Sequence, residues 1–380
     1  MINKKLSAVL VALLAAASAF VPVGGAAQAS YRFADFQGKP PVHVYKSAQS
    51  TPSGVTPAEI KKIYNLPATG GKGTIALIDA YDDANMESDL AVFDKQYNLP
   101  ACTTANGCFE KHKMATSTAS NSGWAMETSL DVEWAHAIAP SAKILLVEAK
   151  TPSGANLLSA IDYATSRKDV VAISMSWGGA EFSDELSYDT HFASKTSSSI
   201  AFFASSGDDG TGASWPASSP NVIGVGGTSL QLASSGTLIA ESAWSGSGGG
   251  VSAYEKEPAY QTAYKISKAN GMRAIPDVSY NADPASGYPI YITTGTGTKK
   301  KGAWDTVGGT SAGAPQWAAI QALGGSAVLA KFYTDKASTS TLKYFRDITS
   351  GSNGDCAYYC DARKRYDYVT GLGSPQTTKF

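Results

Sequence analysis

The strongest constraint in this chain is an alternation. Short, continuously apolar runs at Thr74–Ile78, Lys143–Val147, Val170–Ser174, Ala201–Ala204 and Val222–Val225 are separated by helical patterns at Met86–Tyr97, Ala125–Ala139, Asn156–Ser166 and Ser183–Ser197. A strand that is apolar at every position, rather than every second one, is covered on both faces. Alternated with helices, such strands predict an α/β fold, a mostly parallel central sheet between two helix layers. Thr56-Pro57-Ala58-Glu59 marks a helix start, with Thr56 as the cap and Pro57 in the first helical position. No repeat or low-complexity linker divides residues 55–380, so they read as one domain. Glycine clusters at Gly178-Gly179, Gly226-Gly227, Gly248–Gly250 and Gly308-Gly309 fall where strands meet loops. Turn chemistry accounts for most of them, but open α/β sheets also bind ligands at such loops.

Upstream the character changes. Lys4-Lys5, the apolar run Leu6–Val23 and Ala27-Gln28-Ala29 form a signal peptide over residues 1–29. Pro22 and Gly24-Gly25 make the run too short for a membrane anchor. The mature chain is therefore expected to be secreted and extracellular, with no membrane contact, and to act as a monomer. Residues 30–54 are polar and carry Pro40, Pro41 and Pro52, a short N-terminal arm with no full pro-domain. Export suits the four cysteines, read as two local disulfides, Cys102–Cys108 and Cys356–Cys360. The alternative is a four-Cys zinc site, which requires the two loops to meet. With 43% hydrophobic residues and a net charge of -1, the chain is neither disordered nor marked as a nucleic-acid binder.

The chemistry concentrates at Gly308–Pro315, which runs into the apolar stretch Gln316–Leu323. Ser311 stands where a glycine-rich turn enters a helix, a place for a nucleophile as well as for a simple cap. Glu127 and Asp131, at i and i+4, share one helix face. Exposed, they would only repel. In a cleft they form a coupled pair, one carboxylate accepting a proton from the nucleophile while the other holds it. A Ser-His-Asp triad is disfavoured, because His43, His112 and His191 lack a helix-plus-glycine context and His136, facing an Ala-rich stretch, reads as a packed or partly exposed histidine.

These segments, in this order, resemble the sedolisins, serine-carboxyl peptidases with the subtilisin fold in which Glu replaces the catalytic His. The likeness begins with Thr56-Pro57 and Tyr64-Asn65-Leu66-Pro67. It continues through Glu127-x-x-x-Asp131, Ala139-Pro140-x-Ala142-Lys143-Ile144, Ser174-x-Ser176-Trp177-Gly178 and Ser206-Gly207-Asp208 to Gly308–Pro315. The resemblance implies a subtilisin-like three-layer sandwich with Ser311 as nucleophile, Glu127 as general base, Asp131 as its proton-sharing partner and Asp208 in the oxyanion hole. Asp79 would be a supporting carboxylate, and Ser176, Trp177 and Gly178 would line the substrate cleft, where an extended peptide is held by backbone pairing. The function expected is a secreted endopeptidase of polypeptides at about pH 3 to 5, where these carboxyls retain protons. The rival is a secreted, non-catalytic peptide-binding protein on a peptidase scaffold.

The family's calcium loop is matched at Phe345–Gly354 and Tyr366–Pro375. One Ca²⁺ would be held by Asp347, Asp367 and the carbonyls of Ile348, Arg363 and Arg365. Arg363-Lys364-Arg365 replaces the family's Gly-x-Gly, which leaves open a loop closed by the 356–360 disulfide without metal.

Overall fold

The computed structural model describes residues 31–116, 118–196, 199–295, 300–324, 329–334 and 344–378. The expected signal peptide lies outside them. In chain order the main strands are β1 (His43–Gln49), β2 (Thr74–Ala80), β3 (Phe109–Lys113), β4 (Lys143–Ala149), β5 (Val170–Met175), β6 (Ala201–Ser205), β7 (Ile223–Leu232), β8 (Leu238–Ala243), β9 (Val278–Asn281), β10 (Tyr288–Thr294) and β11 (Lys301–Gly308). The main helices are α1 (Pro57–Ile63), α2 (Met86–Tyr97), α3 (Ser122–Ile138), α4 (Gly154–Thr165) and α5 (Gly313–Ala322).

The central sheet has eight strands in the order β8-β7-β6-β5-β2-β4-β3, with β9 also paired to β7. Every pairing in it is parallel except β7 with β8. The fold is subtilisin-like, as expected. Along β2 the side chains divide by parity: Ile75 and Leu77 join one core, Ala76 and Ile78 the other. Ile144 and Leu146 of β4 follow the first set, Leu145 and Val147 the second. The first core contains Leu130 and Trp134 of α3 and Ala318 of α5, the second Leu157 and Ile161 of α4. Helices therefore cover both faces, and this is why the strands carry no polar alternation until their C-terminal ends.

Those ends hold the exceptions. Asp79 shares the parity of Ile75 and Leu77, so it points toward α3 and α5. Glu148 lies beside it in the β2–β4 register. A second, antiparallel sheet, β1-β11-β10, leads from the arm to the glycine turn, with His43 opposite Gly308.

One local expectation fails and another is extended. Ser183–Ser197 is not an α-helix; among the described residues it holds only a 3₁₀ segment, Glu185–His191. Its Ser, Asp and Tyr residues favour local turns over helix propagation. The Val222–Val225 strand continues to Leu232 and turns back as β8, so the sheet gains an antiparallel edge. Among the described residues no helix is long and apolar enough to cross a membrane.

Candidate active site

Gly309 opens the key turn with φ 129°, a left-handed conformation that favours glycine. A side chain there would also strike the Asp208 carboxyl and the Pro41 carbonyl. Thr310–Ala312 makes one 3₁₀ turn, and α5 continues from it. Ser311 thus sits at the mouth of a helix beneath the sheet's C-terminal edge, fully buried.

α3 brings the acid pair to it. The helix is started by Asn121, whose side chain accepts from the N–H groups of Gly123 and Trp124 at 3.0 and 3.1 Å. One turn in, Glu127 and Asp131 are both fully buried. Asp131 Oδ1 accepts from Ser176 Oγ at 2.7 Å, and the same hydroxyl lies 3.2 Å from the Ser311 carbonyl oxygen. Ser311 Oγ in turn donates to the Ser176 carbonyl at 3.4 Å. Ser176 therefore ties α3 to the turn that carries Ser311. The Glu127 oxygens close no hydrogen bond among the described residues. Ser311 and Asp131 nevertheless stand near enough to oppose the upward shift of its pKa.

Electrostatics follows from burial. Burial, then the charge of Asp79, pushes Glu127 well above the usual carboxylate range. Burial and Glu127 raise Asp131, against the hydrogen bond from Ser176. Asp79 is raised by burial and by Asp131, Glu148 and Asp83, and neither of its oxygens is hydrogen-bonded among the described residues. Like charges packed this closely cannot all ionise, so the cluster retains protons.

Asp208 closes the other side. Its Oδ1 accepts from Thr310 N at 2.8 Å and Thr310 Oγ1 at 2.7 Å, which fixes it beside the glycine turn. Burial raises its pKa, with His43 and Thr310 opposing. His43 Nε2 lies 3.0 Å from Asp208 Oδ2, an ion pair absent from the sequence reading. No local pattern signals it, since the pairing spans the chain from the arm to the sheet edge. The expected cleft residues divide as well. Ser176 and Gly178 border the site, but the Trp177 indole points into the core and donates to the Ile78 carbonyl at 2.9 Å.

The C-terminal loop brings its two aspartates together with backbone N–H groups. Both Asp347 oxygens accept from Arg365 N at 3.0 Å. Asp367 Oδ1 accepts from the N–H groups of Val369 and Thr370 at 2.9 and 2.8 Å, and its Oδ2 from Arg363 N at 3.0 Å. Arg365 takes φ 68°, where glycine would be at ease. Calcium needs six to eight oxygen ligands, but here both carboxylates are already engaged by donors and Lys364 and Arg365 lie beside Asp347. In this arrangement Asp347, Ile348, Arg363, Arg365 and Asp367 do not fit the ion. The sulfurs of Cys102 and Cys108, and of Cys356 and Cys360, lie at bonding distance. His136, fully buried, sits beside the first pair, but sulfurs at bonding distance from each other leave no room for a zinc ion between them.

A model of the subtilase family matches residues 112–344. Sedolisin from Pseudomonas sp. (strain 101) is 28% identical over 88% of this chain and 62% of its own length. Kumamolisin from Bacillus sp. (strain MN-32) is 30% identical over 87% of this chain and 63% of its own. The chain thus spans just over three-fifths of these curated relatives. The solved structure of Pseudomonas sedolisin, a serine-carboxyl proteinase complexed with two molecules of pseudo-iodotyrostatin, superposes with a TM-score of 0.71 at 27% identity. It covers 86% of this chain and 96% of that one.

Proposed function

Because the chain belongs to the subtilase family, with sedolisins among its relatives, we propose that it is a serine-carboxyl endopeptidase that hydrolyses polypeptides at acid pH after export. The observation that carries this reading is the meeting of Ser311, Glu127 and Asp131 in one buried cluster with Ser176 as the tie.

In this mechanism Ser311 Oγ attacks the peptide carbonyl carbon, and its proton passes to Glu127 as the C–O bond forms. Asp131 holds and polarises Glu127, sharing the proton. The carbonyl oxygen becomes an oxyanion that accepts hydrogen bonds from the Ser311 N–H and from Asp208. Asp208 can donate only when protonated, and burial extends that state to higher pH. On collapse Glu127 returns its proton to the leaving amine, and water repeats the sequence to release the acyl group. No step requires a metal, and we read the C-terminal loop as closed by its own backbone and by a 356–360 disulfide.

Acid proteolysis by wild type and Ser311→Ala tests the reading. The variant is expected to lose at least about a thousandfold in rate. Equal rates would reject the assignment.

A further inference from the structure

Outside the carboxyl cluster the molecule gathers charge of the other sign. The short helix Ala259–Tyr264 ends at Lys265, which takes φ 67°. Lys268 follows at φ 65°, and Arg365, in the C-terminal loop, takes φ 68°. Side chains disfavour this left-handed region, where glycine or asparagine is usual, so the surrounding structure must impose it on three cations. Tyrosines from the C-terminal loop do much of this. Tyr368 Oη donates to the Ser267 carbonyl at 2.8 Å, and Tyr359 Oη to the Lys268 carbonyl at 3.2 Å. Lys265 N donates to the Gln261 carbonyl at 2.9 Å.

Between the two loops is a cavity of about 350 Å³, lined by Lys265, Lys364 and Arg365 and by Tyr264, Tyr358 and Tyr366. Aromatic walls around a few charged groups are the make-up of a small-molecule site. Among the described residues no carboxyl lines it. Two carboxyls of this region are already engaged, Asp361 with Arg363 at 3.2 Å and Asp347 with the Arg365 N–H. Lys265, Lys268 and Lys364 close no ion pair among the described residues. Lys268 Nζ and the Arg363 guanidinium carbon stand 3.9 and 4.6 Å from the centroid of the Tyr358 ring, which concentrates the charge further. Like charges brought to one cavity repel until an anion joins them.

We propose that this cavity binds an oxyanion of the sulfate or phosphate type, free or as the ester of a small carrier. Lys265 and Lys364 reach it from segments remote in sequence. A tetrahedral oxyanion offers three or four oxygens to several such donors at once, whereas a carboxylate offers two. A bare ion leaves most of the 350 Å³ unfilled, since one water takes only about 30 Å³. The tyrosine walls therefore leave room for the ring of a sugar ester. The site stands independently of the peptidase reading.

Amide NMR on the isotope-labelled full Ser311→Ala chain, at about pH 6 where phosphate carries between one and two charges, reads binding without catalysis. Inorganic phosphate and glucose 6-phosphate are the probes, with glucose and acetate as controls. The amides of Lys265, Lys268, Lys364 and Arg365 are expected to shift together, with a dissociation constant on the order of 1 mM or below that weakens as salt is added. Lys265→Asn, which suits the left-handed conformation, combined with Lys364→Gln should weaken binding at least about tenfold. Either single variant serves if the double one does not fold, and Lys364→Arg should retain binding. Tighter binding of the ester assigns the site to a carried group, and equal binding assigns it to the free ion. No shift with either probe would overturn the proposal, as would shifts scattered over the surface. Binding unchanged in the double variant, or acetate bound as tightly as phosphate, would overturn it too.

Discussion

At the scale of single residues, the proposed mechanism rests its acid dependence on Asp208 in a way that can be separated from the rest. Its Oδ1 is committed to Thr310 and its Oδ2 lies against His43, so it could reach an oxyanion only through Oδ2, with His43 displaced, and only when protonated. Asn at this position accepts from Thr310 in the same way and donates at every pH. Asp208→Asn is therefore expected to carry the high-pH limb of the rate profile toward neutrality, with a maximal rate within about tenfold of wild type. A profile lowered evenly at all pH values would contradict a donor role. Glu127, Asp131, Ser311 and Asp208 were legible in the sequence because each sits in a short motif of fixed spacing. His43 and Glu148 were not. His43 reaches the site through β1–β11 pairing and Glu148 through β2–β4 register, and neither long-range relation leaves a local pattern.

At the scale of elements, the strands buried on both faces were readable as unbroken apolar runs, and most of α3 as the helical stretch Ala125–Ala139, three residues short of its start at Ser122. The 185–191 segment was misread because its length suggested a helix while its polar residues prefer turns. The C-terminal loop shows the same limit in chemical form. Its aspartates match a calcium motif, yet the conformation at Arg363 and Arg365 turns N–H groups onto them. Melting of the purified protein is thus expected to be unchanged, within about 1 °C, by chelator or by millimolar Ca²⁺, since a ligand that does not bind the native state adds no stability. A rise with calcium and a fall in chelator would restore the ion.

At the scale of the whole molecule, the fold buries more carboxyls than it neutralises. Burial holds Asp89 up at about 6, Asp94, Glu148 and Asp367 at about 7, Glu255 at about 8 and Glu185 at about 9. Asp79, Glu127, Asp131 and Glu133 are also raised, well above the ordinary range. For each, the native form binds its proton more tightly than the unfolded chain, where such groups titrate near about 4. Stability from these groups is complete below that value and is lost as pH rises through the native ones. Asp82 and Asp169 run the other way; despite burial, Lys111 with Lys113, and Arg167, hold them down. Both are partly exposed, so the buried set dominates. Calorimetry is expected to place the melting temperature at pH 4 above that at pH 8 by on the order of 5–10 °C. The reverse order would mean that the buried carboxyls ionise without cost.

The tie between β1 and β11 has a kinetic corollary. Because His43 is fastened opposite Gly308, the residues before it would stay close to Gly178 even with the Lys39–Gly178 pairing opened. They rebind at an effective concentration on the order of millimolar, set by a tether of only a few residues. Dilution cannot undo such a pairing. Any free peptide that would take the place of Lys39 at Gly178 must exceed that local concentration.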